Sequence, residues 1–289
     1  MVETNLFLMK YSFLAIVILF LLSCSESDST LEEQNEIPES TNFIFEDGFE
    51  TSNQEFNELF PQDGSRWTNI QIVNPTVKTN TLTLSSIVVK DGNSSLAVLS
   101  NQSDEILSKA DIEKSGLQAS AGSTVTIEAD FYIDSDKNLE NLLLIDLECC
   151  SCWDPSVPEN QCPGVRLMLS GGDDYLSIER GKIAGDLLLQ TTTKFPRKEW
   201  VTVRWESTLS PNEDGANKLF LNGNQILSEN GMNMPNAEIF RALFTENDID
   251  FELQEPVSYE RVQIGATANP DAEDLLLYVD NFSIQIEKN

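Results

Sequence analysis

From Thr124 to Ile133 apolar and polar residues alternate without a break. Val125, Ile127, Ala129, Phe131 and Ile133 alternate with Thr124, Thr126, Glu128, Asp130 and Tyr132. A period of two puts each set on its own face of an extended chain, so the pattern predicts a strand with one buried and one polar side. Trp200 to Thr208 repeats it, with Val201, Val203 and Trp205 set against Thr202, Arg204 and Glu206. So does the stretch in which Val165, Leu167 and Leu169 alternate with Arg166, Met168 and Ser170. Between Lys218 and Ile226 the pair Asn222-Gly223 separates two short strand-like runs. Asn-Gly tolerates the positive φ of a type I′ turn, so a hairpin is predicted there. Further strands are predicted at Phe43–Phe49, Thr68–Val73, Leu82–Val89, Leu96–Leu99, Leu142–Glu148, Tyr175–Glu179, Arg261–Ala266 and Leu275–Ile286, and a short helical turn around Asn236 to Leu243. About a dozen strands with one polar face each predict an all-β fold of two packed antiparallel sheets.

The amino terminus departs from this pattern. Tyr11 to Leu22 is a twelve-residue apolar run preceded by Lys10. A spanning helix needs roughly 20 apolar residues. The run instead has the length of a signal-peptide core. Leu21-Leu22-Ser23-Cys24 follows, and the order resembles a bacterial lipoprotein signal with its lipobox. That resemblance implies cleavage before Cys24, a diacylglycerol thioether on its sulfur and an acyl chain on its amine. More than one chain is what stable membrane anchoring requires. Residues 1–23 are thus read as the signal and 24–41 as an acidic tether, which has too few apolar residues to fold alone. Residues 42–289 form a single domain of a size normal for all-β folds. Ser25 to Thr41 also resembles the surface-export signal of lipoproteins in the Bacteroidetes. The expected location is the outer membrane or cell surface, with the membrane a partner through the lipid.

Charge narrows the partners. The chain carries 18 Lys and Arg against 48 Asp and Glu, a formal net charge of −30, and has no histidine. Nucleic acid needs a basic face and is excluded as a partner. Gly164 to Arg204 runs against the trend, with seven cations and five acids. Four cysteines remain after Cys24, namely Cys149, Cys150, Cys152 and Cys162. Outside the cytoplasm an even number in one loop predicts two disulfides. A bridge between adjacent Cys149 and Cys150 is strained, which leaves Cys149 or Cys150 paired outward to Cys152 or Cys162. The single C-x-x-C spacing argues against a four-thiolate zinc site. Trp153 lies in the same loop and is a candidate wall of a binding cleft.

Four motifs, in order, resemble one family. Phe45-Glu46-Asp47-Gly48-Phe49-Glu50 opens the domain, and Asp91-Gly92-Asn93-Ser94-Ser95-Leu96 leads into a strand. Glu199-Trp200-Val201-Thr202-Val203 then precedes Leu221-Asn222-Gly223, and Tyr278-Val279-Asp280-Asn281-Phe282-Ser283-Ile284 closes the chain. Together they resemble the concanavalin A-like lectin/glucanase jelly roll, which includes laminin-G-like domains and carbohydrate-binding modules. The resemblance implies a sandwich with a concave, saccharide-holding sheet. It also implies a structural calcium between the first and last strands, with Asp47 or Glu50 and Asp280 as the matching acids; carboxylate oxygens suit that hard cation.

Catalytic signatures are sparse. In one glucanase branch of that superfamily two carboxyl groups lie in an E-x-D-x-x-E strand, but here Ile133 stands where the second Glu belongs. Polysaccharide lyases abstract a proton beside a uronate, often with His and Tyr, and a His base is excluded. The first expectation is therefore a non-catalytic glycan-binding protein. Tyr132, Trp153, Arg166 and Arg204 would make the contacts, with Glu128 and Asp130 accepting hydroxyl hydrogen bonds. A polysaccharide lyase or glycoside hydrolase with an atypical site, using for example Tyr132 with Arg166 and Arg204, is the alternative. A structural or adhesive surface protein is the third reading.

Overall fold

The computed structural model of the protein describes residues 42–75, 77–102, 108–136, 139, 141–149, 152, 164–170, 174–180, 186–246, 253, 255–269 and 274–288. Cys24, Cys150, Trp153 and Cys162 lie outside these. The strands are β1 (Phe43–Asp47), β2 (Asn69–Val73), β3 (Thr81–Ser85), β4 (Ser95–Ser100), β5 (Lys109–Ser120), β6 (Thr124–Ile133), β7 (Leu142–Glu148) and β8 (Gly164–Ser170). They continue as β9 (Tyr175–Arg180), β10 (Asp186–Lys194), β11 (Trp200–Thr208), β12 (Ala216–Leu221), β13 (Asn224–Asn230), β14 (Ser258–Ala268) and β15 (Leu275–Glu287), with one α-helix among the described residues, α1 (Ala237–Glu246).

Two antiparallel sheets result. One has the order β13-β12-β11-β6-β15-β4-β3, with β1 also pairing β15; the other has the order β10-β9-β8-β7-β14-β5-β2. The inner faces meet in the core, where the apolar half of each alternation packs. Val125, Ile127, Phe131, Val203, Trp205 and Ile284 come from the first sheet, and Ile112, Leu147, Leu167, Ile178, Val262 and Ile264 from the second. Trp67 anchors one end, stacked on Phe49 at 5.9 Å and edge-on to Phe45 at 5.1 Å. Such aromatic pairs add about 0.5–1.5 kcal/mol beyond the area they bury. The architecture is the all-β, two-sheet antiparallel sandwich expected from the alternation.

Asn222 and Gly223 have φ of 49° and 76° and close the two-residue hairpin between β12 and β13. Cys149 and Cys152 form a disulfide at the end of β7, one of the outward pairings anticipated.

Two strands had no predicted counterpart. In β5 the apolar set is only Ala110 and Ile112 before Gly116, at φ 91°, breaks the alternation, and the charges between them read as loop. In β10, Leu187-Leu188-Leu189 followed by Thr191-Thr192-Thr193 has no period of two.

Candidate functional site

The two sheets differ on their outer faces. On the eight-stranded sheet, β11 alternates between half-buried and buried residues along its whole length. On the seven-stranded sheet, all seven residues of β7 and all seven of β8 are buried, polar ones included. Buried polar groups must be hydrogen-bonded and buried charges paired. The outer face of this sheet accordingly carries a connected network.

The network follows from strand register. Glu113 on β5 faces Gln263 on β14, Gln263 faces Asp146 on β7, Asp146 faces Arg166 on β8, and Arg166 faces Glu179 on β9. This row crosses four strand spacings, roughly 19 Å. Gln263 Nε2 donates to Glu148 at 2.9 Å and to Glu113 at 3.3 Å, while its Oε1 accepts from Lys109 Nζ at 2.8 Å. Arg261 donates from Nε to Glu148 Oε2 at 2.7 Å and lies 3.3 Å from Glu113. Arg166 Nε donates to Asp146 at 2.8 Å. Gln71, on edge strand β2, donates to Glu113 at 2.7 Å. One step along the strands from the row lie Asp111, Met168 and Ser177, and two steps along lies Tyr175. Tyr259 points into the core, and Tyr132 and Tyr278 belong to the other sheet. Tyr175, half-buried, is thus the phenol on this face among the described residues.

Five carboxyl groups share this face with three cations, so burial resists full ionisation. Burial pushes Asp111 up to about 8, opposed by Lys109 at 3.3 Å and reinforced by the neighbouring charges of Asp146 and Glu148. Burial also raises Glu179, opposed by Arg166. Two carboxyl groups held toward the neutral form can donate a proton or hydrogen bond where ionised ones cannot. The backbone is shaped to fit. A Cβ on Gly164 would stand 2.4 Å from Leu147 O, and one on Gly265 would stand 2.8 Å from Ala110 O.

Of the residues expected from sequence to bind glycan, Arg166 lies on this face. Glu128, Asp130, Tyr132 and Arg204 lie on the outer face of the other sheet, because β6 and β11 belong to it. There Arg204 stacks on Phe220 at 4.1 Å and pairs with Glu206 at 3.0 Å, and Asp130 accepts from Asn281 at 2.8 Å. Tyr132 sits between Trp200 and Tyr278, with ring centroids 5.7 and 5.9 Å apart. The expected set is therefore split between opposite sides of the sandwich.

The residues that sequence reasoning passed over are Lys109, Asp111, Glu113, Asp146, Glu148, Tyr175, Glu179, Arg261 and Gln263. A usable signal existed in Leu142–Glu148. Its run of apolar residues reads as a strand buried on both faces, and Asp146 interrupts it.

Of the acids expected to hold calcium, Glu50 and Asp280 both bond to the turn at residues 90–94, and Asp47 is paired with Arg66. Asp47 takes Arg66 Nε at 2.8 Å and Nη2 at 2.6 Å, and also accepts from the Phe49 amide. Glu50 accepts from the amides of Asn93 and Ser94, and the Asn93 amide holds its pKa low. Asp280 accepts from the amides of Lys90, Asp91 and Asn281, and burial pushes it up to about 6. Among the described residues no group of three or more His, Cys, Asp or Glu is placed to hold a metal ion.

Known proteins bear on this geometry. An endo-β-1,4-glucuronan lyase from the fungus Trichoderma reesei superposes with a TM-score of 0.51 at 10% identity, covering 77% of this chain and 91% of that one. The cellulose-induced protein Cip1 superposes with a TM-score of 0.51 at 13% identity, covering 83% and 96%. At these identities the likeness is one of fold. No curated protein sequence matches the chain. The family model described as "Polysaccharide lyase" matches residues 61–244, which span β2 through β13 and most of α1. That match covers more than half of the 289 residues, and by it the chain belongs to the polysaccharide lyase family.

Proposed function

We propose that the protein cleaves a uronate-containing polysaccharide by β-elimination on the outer face of the seven-stranded sheet. The observation that carries this reading is the cross-strand row of paired charges, of which Glu113, Asp146, Arg166 and Glu179 lie inside the family-matched region. Family membership favours this over the non-catalytic lectin reading.

β-Elimination needs three things from a protein. The sugar carboxylate must be neutralised so that the neighbouring C5 hydrogen becomes acidic, a base must take that proton, and the departing O4 must receive one. In this reading Arg166 and Glu179, adjacent across β8 and β9, seat the carboxylate. The guanidinium supplies a forked donor, beside a carboxyl group whose pKa burial raises. Tyr175 projects from the same face of β9 as Glu179, four residues away, roughly 13 Å along the strand. It takes the C5 proton and returns it to O4 as the C4–O4 bond breaks and a C4=C5 double bond forms. No water is consumed and no electron changes hands. Lys109, Gln263, Arg261 and their carboxylates hold the network rigid and keep its charges fixed, which is how electrostatic preorganisation works.

Incubation of the domain with uronate polysaccharides should produce ultraviolet-absorbing unsaturated ends. Tyr175→Phe should lower kcat by about 10²–10⁴-fold and Arg166→Ala by about 10²–10³-fold. Tyr132→Ala and Arg204→Ala, on the far sheet, should leave it unchanged. The opposite pattern, with the far-sheet variants dead and these two active, overturns the assignment.

We also infer that Cys24 carries lipid and that residues 25–41 tether the sandwich to the outer membrane or cell surface. The support is the apolar run, the lipobox-like Leu21-Leu22-Ser23-Cys24 and the acidic stretch after it.

A further inference from the structure

One stretch of the chain departs from its acidic composition. Between Trp67 and Lys90 the single charged residue is Lys78, whose amine is paired with Asp274 at 2.5 Å, although 23% of the chain is charged. The same stretch gathers exposed apolar side chains. Among the described residues the large hydrophobics that stand exposed are Ile44, Ile70, Ile72, Val73, Val77 and Ile87, and all but Ile44 fall within it. Exposed apolar residues scattered singly need no explanation, but a concentration of them marks an interaction surface.

Strand β2 is the centre of this surface. It ends the seven-stranded sheet and reads Asn69-Ile70-Gln71-Ile72-Val73. One side of it pairs with β5 without a register shift, from Asn69 opposite Glu113 to Val73 opposite Lys109. Among the described residues no strand pairs with its other side. Such an edge is a template for a further strand, and proteins commonly block it with a charge, a proline or a bulge. β2 has none of the three. At the opposite flank the edge strands β10 and β13 lie against each other, and they carry Lys194 and Glu229. Ile70 and Ile72 stand opposite Ile112 and Ala110, which belong to the core, so they carry the apolar inner face out to the rim of the sandwich.

Two features select the occupant. The chain has a net charge of −30, so two copies repel each other over most of their surfaces. That repulsion is weakest at the uncharged edge. The strand also has its isoleucines placed evenly about Gln71. An antiparallel copy would set Ile70 against Ile72 of the second copy, Ile72 against Ile70, and Gln71 against itself, which is the self-complementary contact a two-fold axis requires. A lipid surface would cover the isoleucines but leave the edge amides and carbonyls without partners. A second strand satisfies both.

We propose that two copies of the chain pair antiparallel through β2 and join their seven-stranded sheets into one. The two-fold axis stands perpendicular to the joined sheet, so both charged rows lie on the same side of it.

The test uses the full chain. Two copies with different tags, expressed together, should co-purify. Ile72→Asp in both should lower recovery of the second copy about tenfold. Its melting temperature should match that of wild type, because the side chain is exposed. Oxidation in whole cells reads the register. Gln71→Cys should give a covalent dimer absent from wild type. Asn69→Cys alone should not, because the two copies of residue 69 stand roughly 14 Å apart across the axis. Asn69→Cys and Val73→Cys expressed together should restore the band. No covalent dimer from Gln71→Cys, with co-purification unchanged by Ile72→Asp, overturns the proposal. Equal bands from Gln71→Cys and Asn69→Cys mark random collision and overturn it too. So does capture of Gln71→Cys by a different protein or by a maleimide-bearing lipid, which would give the edge to that partner or to the bilayer.

Discussion

Asp111 shows how one residue ties stability to the site. Its carboxyl group is fully buried, with Lys109 its nearest cation and Asp146 and Glu148 close by. Its pKa stands at about 8 in the fold against about 3.9 for a free Asp. The folded state therefore binds more protons than the unfolded state across that interval. Stability falls as pH rises, by up to roughly 1.4 kcal/mol per pH unit between about 4 and 8. Asp111→Asn removes the titration and keeps a similar shape. Its melting temperature should equal that of wild type near pH 4 and exceed it increasingly toward pH 8, measured by calorimetry across that range. A constant difference at every pH would rule out a buried, protonated Asp111. Sequence offered no hint of this. Asp111 sits in Lys109-Ala110-Asp111-Ile112-Glu113-Lys114, a charge-dense stretch that reads as solvated loop. Arg166 was legible because Val165, Leu167 and Leu169 mark its strand and leave it on the opposite face.

Among the elements, β7 and β8 carry the centre of the row, and their close approach depends on Gly164. A Cβ there would lie 2.4 Å from Leu147 O and 3.0 Å from Asp146 Oδ1, so the strands must separate to admit it. Gly164→Ala should cost about 1–3 kcal/mol, read as a lower denaturation midpoint. Because Asp146 orients Arg166, the proposed lyase activity should fall more than stability alone explains. An unchanged midpoint would mean the strand pair is looser than the structure has it. Elements with strict alternation, such as β6 and β11, were readable to within a residue. β5 was not, although it lies between β14 and β2 in its sheet and carries Lys109, Asp111 and Glu113. Its outer face is charged and yet buried, so the usual link between charge and exposure fails there.

For the whole molecule, the lipid inference predicts where the protein partitions. Labelled palmitate should enter the full-length chain and appear in the membrane fraction. Cys24→Ser should abolish the label and release the protein, and label retained in Cys24→Ser would refute anchoring at that residue. The layered architecture was determined by the sequence itself, because a period of two is a local property and every strand carries its own record of which face is buried. Only the tertiary structure decided which polar face carries the buried charged network. Gln263 meets Glu113 across 150 positions of chain, because β14 is inserted between β7 and β5. No local pattern encodes that neighbour order. The outer faces of both sheets read alike as polar half-periods, and only packing the strands side by side leaves one solvated and the other a buried row of paired charges.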